Sequence, residues 1–216
     1  VKVYDKHRLT WDERGRYAAF ITPKDPPIIN FVRSVATQFP DAKDQAQLAA
    51  VVFDAMGVMG LTYLPDPANP YQVTSGKTDV VDYVQYPRET MRRKSGDCDD
   101  LVAVYSSALE SMGIYTLVVE VPGHMFMMFS TGIDADADAY TNNDMYVIHN
   151  GKLWIPVETT ILGSSFVKAW ELGAANYYKW KDKGLTLLDV HESWNIYKPA
   201  TLPESNQAPL EISGKQ

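Results

Sequence analysis

The stretch from Gly96 to Glu158 constrains the fold more than any other part of the chain, because two hydrophobic periods meet in it. After Cys98 the apolar residues Leu101, Val104, Tyr105, Ala108 and Met112 recur at helical spacing, and Gly113 can close the helix. Ile114–Val121 and Met125–Phe129 are apolar, β-branched or aromatic around Pro122-Gly123, which predicts two strands joined by a tight turn at His124. Met145–His149 and Lys152–Glu158 flank Asn150-Gly151, a pair that tolerates the positive φ of a two-residue hairpin turn. A helix followed by antiparallel hairpins predicts an α+β fold, with the helix packed on the sheet.

The flanks add helices at both ends. From Ile28 the residues Phe31, Val32 and Val35, then Leu48, Val51, Val52, Ala55 and Met59, predict two helices; Asp41 is placed to open the second, and Gly57 and Gly60 to end it. Phe166, Val167, Trp170 and Ala174 predict a further helix over 164–178, and Leu185–Val190 fits a short strand or helix. Pro65, Pro67 and Pro70 mark Leu64–Gly76 as an irregular loop. The expected organisation is an arm over residues 1–27, ended by Pro26-Pro27, one domain over 28–200 and a polar tail over 201–216.

Composition narrows the function. The single cysteine excludes an intrachain disulfide and a multi-cysteine zinc site. With 20 Lys plus Arg against 27 Asp plus Glu, a net charge of −7 disfavours nucleic acid as a partner. No apolar run approaches the roughly 18 residues of a membrane span. The chain opens at Val1 with neither methionine nor apolar leader, which reads as excision from a longer precursor and leaves the compartment unspecified.

Cys98 is the chemical focus. Alone, a single cysteine reads as a small buried hydrophobe. Here it opens a helix behind Ser95-Gly96-Asp97, with Asp97 as N-cap and Asp100 completing an approximate capping box. The helix dipole favours thiolate there, and the Cys98 N–H becomes a natural oxyanion donor, whereas Asp97 and Asp99 oppose ionisation unless they point away. His7, His149 and His191 read as solvated or structural. His124 opens an apolar strand, where a scaffold can aim it. Glu158 closes another apolar strand, in which Leu153, Ile155 and Val157 face one way and Trp154, Pro156 and Glu158 the other, so its carboxylate needs a partner. If the two strands are neighbours, His124 and Glu158 can meet.

Gly96-Asp97-Cys98-Asp99-Asp100-Leu101, Gly123-His124-Met125-Phe126 and Trp154-Ile155-Pro156-Val157-Glu158, in that order, resemble the transglutaminase-like cysteine peptidase superfamily, including its bacterial members. The likeness covers roughly Tyr83 to Thr160. It implies a papain-like α+β core whose helix carries the nucleophile Cys98 and whose antiparallel sheet carries the base His124 and the orienting acid Glu158. Glu158 stands where the family commonly has Asp, and Met125 where it commonly has an aromatic residue. By analogy Gln85 or Tyr86 would be a second oxyanion donor. The resemblance leans towards an extracytoplasmic or periplasmic setting.

The chemistry so implied is thioester-forming acyl transfer on a peptide or carboxamide, as a peptidase or amidase. The alternatives are a protein-crosslinking transglutaminase and a non-catalytic peptide-binding domain of the same fold. Leu64–Tyr71 with Tyr86 could wall a peptide groove. No cofactor is expected. Calcium is an alternative: Asp134, Asp136 and Asp138 imitate an EF-hand start, but Ala139 and Met145 stand where that loop needs Gly and Glu, leaving a looser site there or at Asp97 and Asp99.

Overall fold

The computed structural model describes residues 6–66, 81–135 and 144–203. Asp136, Asp138, Ala139, residues 67–76 of the proline-marked loop and most of the 201–216 tail therefore lie outside the described residues.

A five-stranded antiparallel sheet forms the middle of the molecule: β5 (Thr116–Val121), β6 (His124–Asp134), β7 (Val147–His149), β8 (Lys152–Val157) and β9 (Thr186–Asp189), in the order β7-β8-β6-β5-β9. Both expected turns are present. Val121 pairs with His124 across Pro122-Gly123, and His149 with Lys152 across Asn150-Gly151, whose φ angles are 49° and 71°. Of the two alternatives for Leu185–Val190 the strand is realised, as β9, and the short helix α6 (Val190–Trp194) follows it.

Around the sheet lie α1 (Pro26–Gln38), α2 (Gln45–Val58), α3 (Pro87–Arg93), α4 (Cys98–Ser111) and α5 (Phe166–Trp180). The fold is mixed α+β. One start differs from expectation: α2 opens at Asp44, not Asp41, because Asp44 accepts the Gln47 N–H at 2.7 Å while Gln47 Oε1 reaches back to the Asp44 N–H at 3.4 Å. The helix over 164–178 is displaced to 166–180, with Ser165 as its cap.

Helical spacing made α4 look one-sided, but every residue from Cys98 to Leu109 is buried. Met125, Met127, Phe129, Ile155 and Val157 of the sheet belong to the same core as its apolar face, and α1, α2 and α3 enclose its other sides. One buried polar position of the helix is satisfied from outside, Ser107 Oγ accepting the Thr22 N–H at 2.8 Å, whereas the buried Ser106 Oγ has no hydrogen-bond partner among the described residues. The opposite sheet face packs Phe126, Met128, Val119 and Trp154 against Tyr177 and Trp180 of α5. Leu9, Trp11, Tyr17, Phe20 and Ile21, all before α1, also enter the core.

Two short parallel strands, β2 (Thr62–Tyr63) and β4 (Ser95–Gly96), bind the end of the α2 loop to the approach to Cys98. An antiparallel pair, β1 (Arg8–Thr10) and β3 (Val81–Tyr83), joins the N-terminal segment to the chain entering α3.

Candidate active site

Cys98 is the first residue of α4, and Asp97 is its N-cap with extended backbone angles. The Asp97 N–H donates to Asp100 Oδ2 at 3.4 Å, the return arm of the expected capping box. Gly96 is required by close approach: a Cβ there would stand 2.5 Å from Asp100 Cβ.

His124 begins β6. Because Met127 pairs with Val157 in the antiparallel register of β6 and β8, Glu158 falls opposite Phe126, and His124 lies diagonally on the same face. The neighbouring of these strands, open in the sequence, is thus realised, and His124 Nε2 lies 2.7 Å from Glu158 Oε2. Glu158 is buried and takes further bonds from Asn176 Nδ2 at 3.0 Å, Thr160 N–H at 3.0 Å and Thr160 Oγ1 at 2.6 Å. Burial raises its carboxyl, but the hydrogen bond and charge of His124 and the two bonds of Thr160 outweigh this, and its pKa falls below the ordinary glutamate value. Asn176 and Thr160 have no sequence signature of this role. Asn176 reaches Glu158 because Gly173, one turn earlier, lets α5 touch β8, where a Cβ would lie 2.6 Å from the Pro156 carbonyl.

The Cys98 side chain is only 1% exposed. Burial above all, then the charges of Asp99 and Asp97, push its thiol well above the usual range; the backbone N–H groups of Met125 and Asp99 pull the other way and lose. Of the opposing influences read from the sequence, the flanking carboxylates, joined by burial, prevail over the helix start and favour the thiol. The Met125 N–H that favours the charged sulfur belongs to the residue after His124, at the start of β6.

Behind the sulfur, Asp97, Asp99 and Asp100 bring carboxylate oxygens within 4.8 Å of one another, the one such cluster of possible metal ligands among the described residues. Asp99 is raised well above the carboxylate range by burial, then by the charge of Asp97 and a hydrogen bond with it. Asp100 is raised to about 7 by burial and Asp97, against the Gln85 amide groups that hold its charged form. The donor set is all oxygen, which suits a hard cation such as calcium.

The two residues offered as extra oxyanion donors are engaged elsewhere. Gln85 Nε2 donates to Asp100 Oδ2 and to the Ser95 carbonyl at 3.4 Å, and the Tyr86 hydroxyl donates to the Lys6 carbonyl at 3.1 Å. A cleft of about 200 Å³ adjoins the N-cap, lined by Leu64, Asp66, Gln85, Arg93, Gly96 and Asp97, so the described start of the Leu64–Tyr71 segment does border the site region. Of the histidines expected to be solvated or structural, His7 is buried against Glu89 at 2.7 Å and His191 binds Glu110 at 2.7 Å.

No helix among the described residues is long and apolar enough to cross a membrane. No family model and no curated protein matches the sequence. Among solved structures, a chain from Parabacteroides distasonis named "putative protease" is similar at 11% identity and a TM-score of 0.36, over 55% of this chain; this chain spans 25% of that one. An overlap of that extent assigns neither fold family nor activity.

Proposed function

We propose that the chain is a transglutaminase-like, cysteine-dependent acyl-transfer enzyme with a papain-like core, cleaving peptide or carboxamide bonds as a peptidase or amidase. The observation that carries the reading is the His124–Glu158 bond, with Cys98 opening the helix α4 that packs on the strand His124 begins.

In this reading Glu158 engages Nε2 of His124, which leaves Nδ1 to take the thiol proton. Because burial holds the thiol protonated, the proton moves as the sulfur attacks. The S–C bond forms while the carbonyl electrons move to oxygen, which the Cys98 N–H can stabilise. Collapse of the oxyanion breaks the C–N bond, and His124 returns its proton to the departing amine. Water, activated by the same imidazole, then hydrolyses the thioester. A primary amine in place of water would make the reaction transamidation. No step needs a cofactor; calcium at Asp97, Asp99 and Asp100 is a separate reading, supported by their clustering and abandoned if calorimetric titration gives no heat above buffer.

Burial of Cys98 favours the competing reading, a peptide-binding domain with an inert thiol. Iodoacetamide labelling separates the two. The enzyme reading expects alkylation of Cys98 that climbs through alkaline pH and drops in His124→Ala; a thiol that stays unmodified in the folded wild type supports the binding domain.

A further inference from the structure

The acyl-transfer reading leaves one requirement open, because the Cys98 N–H is a single donor and the amides and hydroxyls of Gln85 and Tyr86 are directed elsewhere. The described residue best placed to add a donor is on the short strand β2. Its pairing with β4 is anchored by the Thr62 N–H on the Lys94 carbonyl at 3.0 Å and the Leu64 N–H on the Gly96 carbonyl at 2.8 Å, which sets Tyr63 beside Gly96.

Partners in register point their side chains to the same side of a sheet. At Gly96 that direction is known, since a Cβ would run into Asp100 in the first turn of α4. Tyr63 is therefore directed towards the start of the helix that carries Cys98. From its other side β2 touches the 3-10 turn Thr159–Ile161, which follows Glu158. The ring is half-buried against the core, while Leu64, on the opposite side of the strand, is exposed and lines the cleft at Asp97. The phenol thus stands on the strand that joins the approach to Cys98 with the turn after Glu158.

We propose that Tyr63 is a second oxyanion donor of this site. Its O–H, with the Cys98 N–H, donates a hydrogen bond to the carbonyl oxygen that becomes negative as sulfur attacks; no proton is transferred from it, and the bond weakens when the C–N bond breaks and the carbonyl reforms. The surroundings keep the donor proton in place. Burial, then the nearby carboxylates of Asp97 and Glu158, hold the phenol above its ordinary pKa.

The inference rests on the acyl-transfer reading, and its test uses two electrophiles for one sulfur. p-Nitrophenyl acetate reacts through an oxyanion, whereas iodoacetamide alkylates by direct displacement and forms none. Tyr63→Phe is expected to slow Cys98 acylation, read as the nitrophenolate burst and confirmed by mass, by about tenfold to a hundredfold. Its iodoacetamide rate should stay within about twofold of wild type, because the oxyanion donor plays no part in that reaction. Equal acylation of wild type and Tyr63→Phe overturns the role of Tyr63 alone. A parallel fall of both rates also overturns it, since Tyr63 would then act on the thiol or on folding. A wild type that shows no Cys98 acylation, judged against Cys98→Ala, defeats the acyl-transfer reading and this inference with it.

Discussion

Two histidine–glutamate pairs stand at opposite ends of the β5–β6 hairpin, and they are nearly copies of each other. In each, imidazole Nε2 lies 2.7 Å from a buried glutamate oxygen, and the second oxygen accepts the N–H and hydroxyl of one threonine: Thr160 at Glu158, Thr116 at Glu110. They differ in what surrounds them. Glu158 has a fourth donor, Asn176, and its pKa is lowered, whereas burial prevails at Glu110 and its pKa is raised. The strand that His124 opens packs against α4, whose first residue is the single cysteine; beside His191 is a wider cleft of about 460 Å³ lined by Tyr115, His149, Lys152 and Trp154. An oriented imidazole is thus a recurrent structural joint in this chain, and only the added sulfur gives one copy a proposed chemistry.

The sharpest way to break the comparison is to delete each imidazole. His124→Ala should lower the Cys98 alkylation rate about a hundredfold, and His191→Ala should leave it within about twofold. Equal effects would mean that both act only through stability.

Glu158→Gln and Glu110→Gln should differ in the sign of their pH dependence. A carboxyl with a depressed folded pKa supplies stability above its unfolded value of about 4.5, and that stability is lost as pH falls through the folded pKa. A carboxyl with a raised folded pKa is favoured below about 4.5, and its contribution declines as pH rises through the folded pKa. Glu158→Gln is therefore expected to cost about 1–3 kcal/mol at pH 7 and progressively less towards pH 3. Glu110→Gln should compare most favourably with wild type at neutral pH. Urea melts of both variants across pH 3–8 check this.

Gly173→Ala should cost about 1–3 kcal/mol by driving α5 off β8, with a matching loss of alkylation rate as Asn176 withdraws from Glu158. The smallest effect is expected from Asn176→Ala, about 1 kcal/mol and a several-fold slower reaction, since three donors remain on Glu158. Thermal melts with rate measurements distinguish the two variants.

The parts of this arrangement visible in the sequence are those set by neighbours in the chain. Asp97 caps α4 because its side chain precedes a helix start, and Pro122-Gly123 and Asn150-Gly151 make hairpins because their backbones suit the turns. The meeting of His124 with Glu158 needed strand register, which local pattern left open. The enclosure of α4 on all sides was hidden because Ser106, Ser107, Asp99 and Asp100 look solvated in a linear reading, and their burial depends on α1, α3 and the segment before them. That same enclosure decides between the opposing influences on Cys98, since desolvation exceeds what a helix start offers. Asn176 and Tyr63 were equally invisible, one arriving across a helix contact and the other across a two-residue parallel pairing.

The central claim is that Cys98 forms a thioester with a carboxamide or peptide carbonyl. Wild type and Cys98→Ala incubated with a mixed peptide library, with and without a primary amine, and read by mass spectrometry, test it directly. Cleavage products are expected with wild type alone, water taking the acyl group, and amine adducts in their place if the enzyme is a transamidase. Identical spectra from the two proteins would contradict it and leave a binding domain with a buried, unreactive thiol.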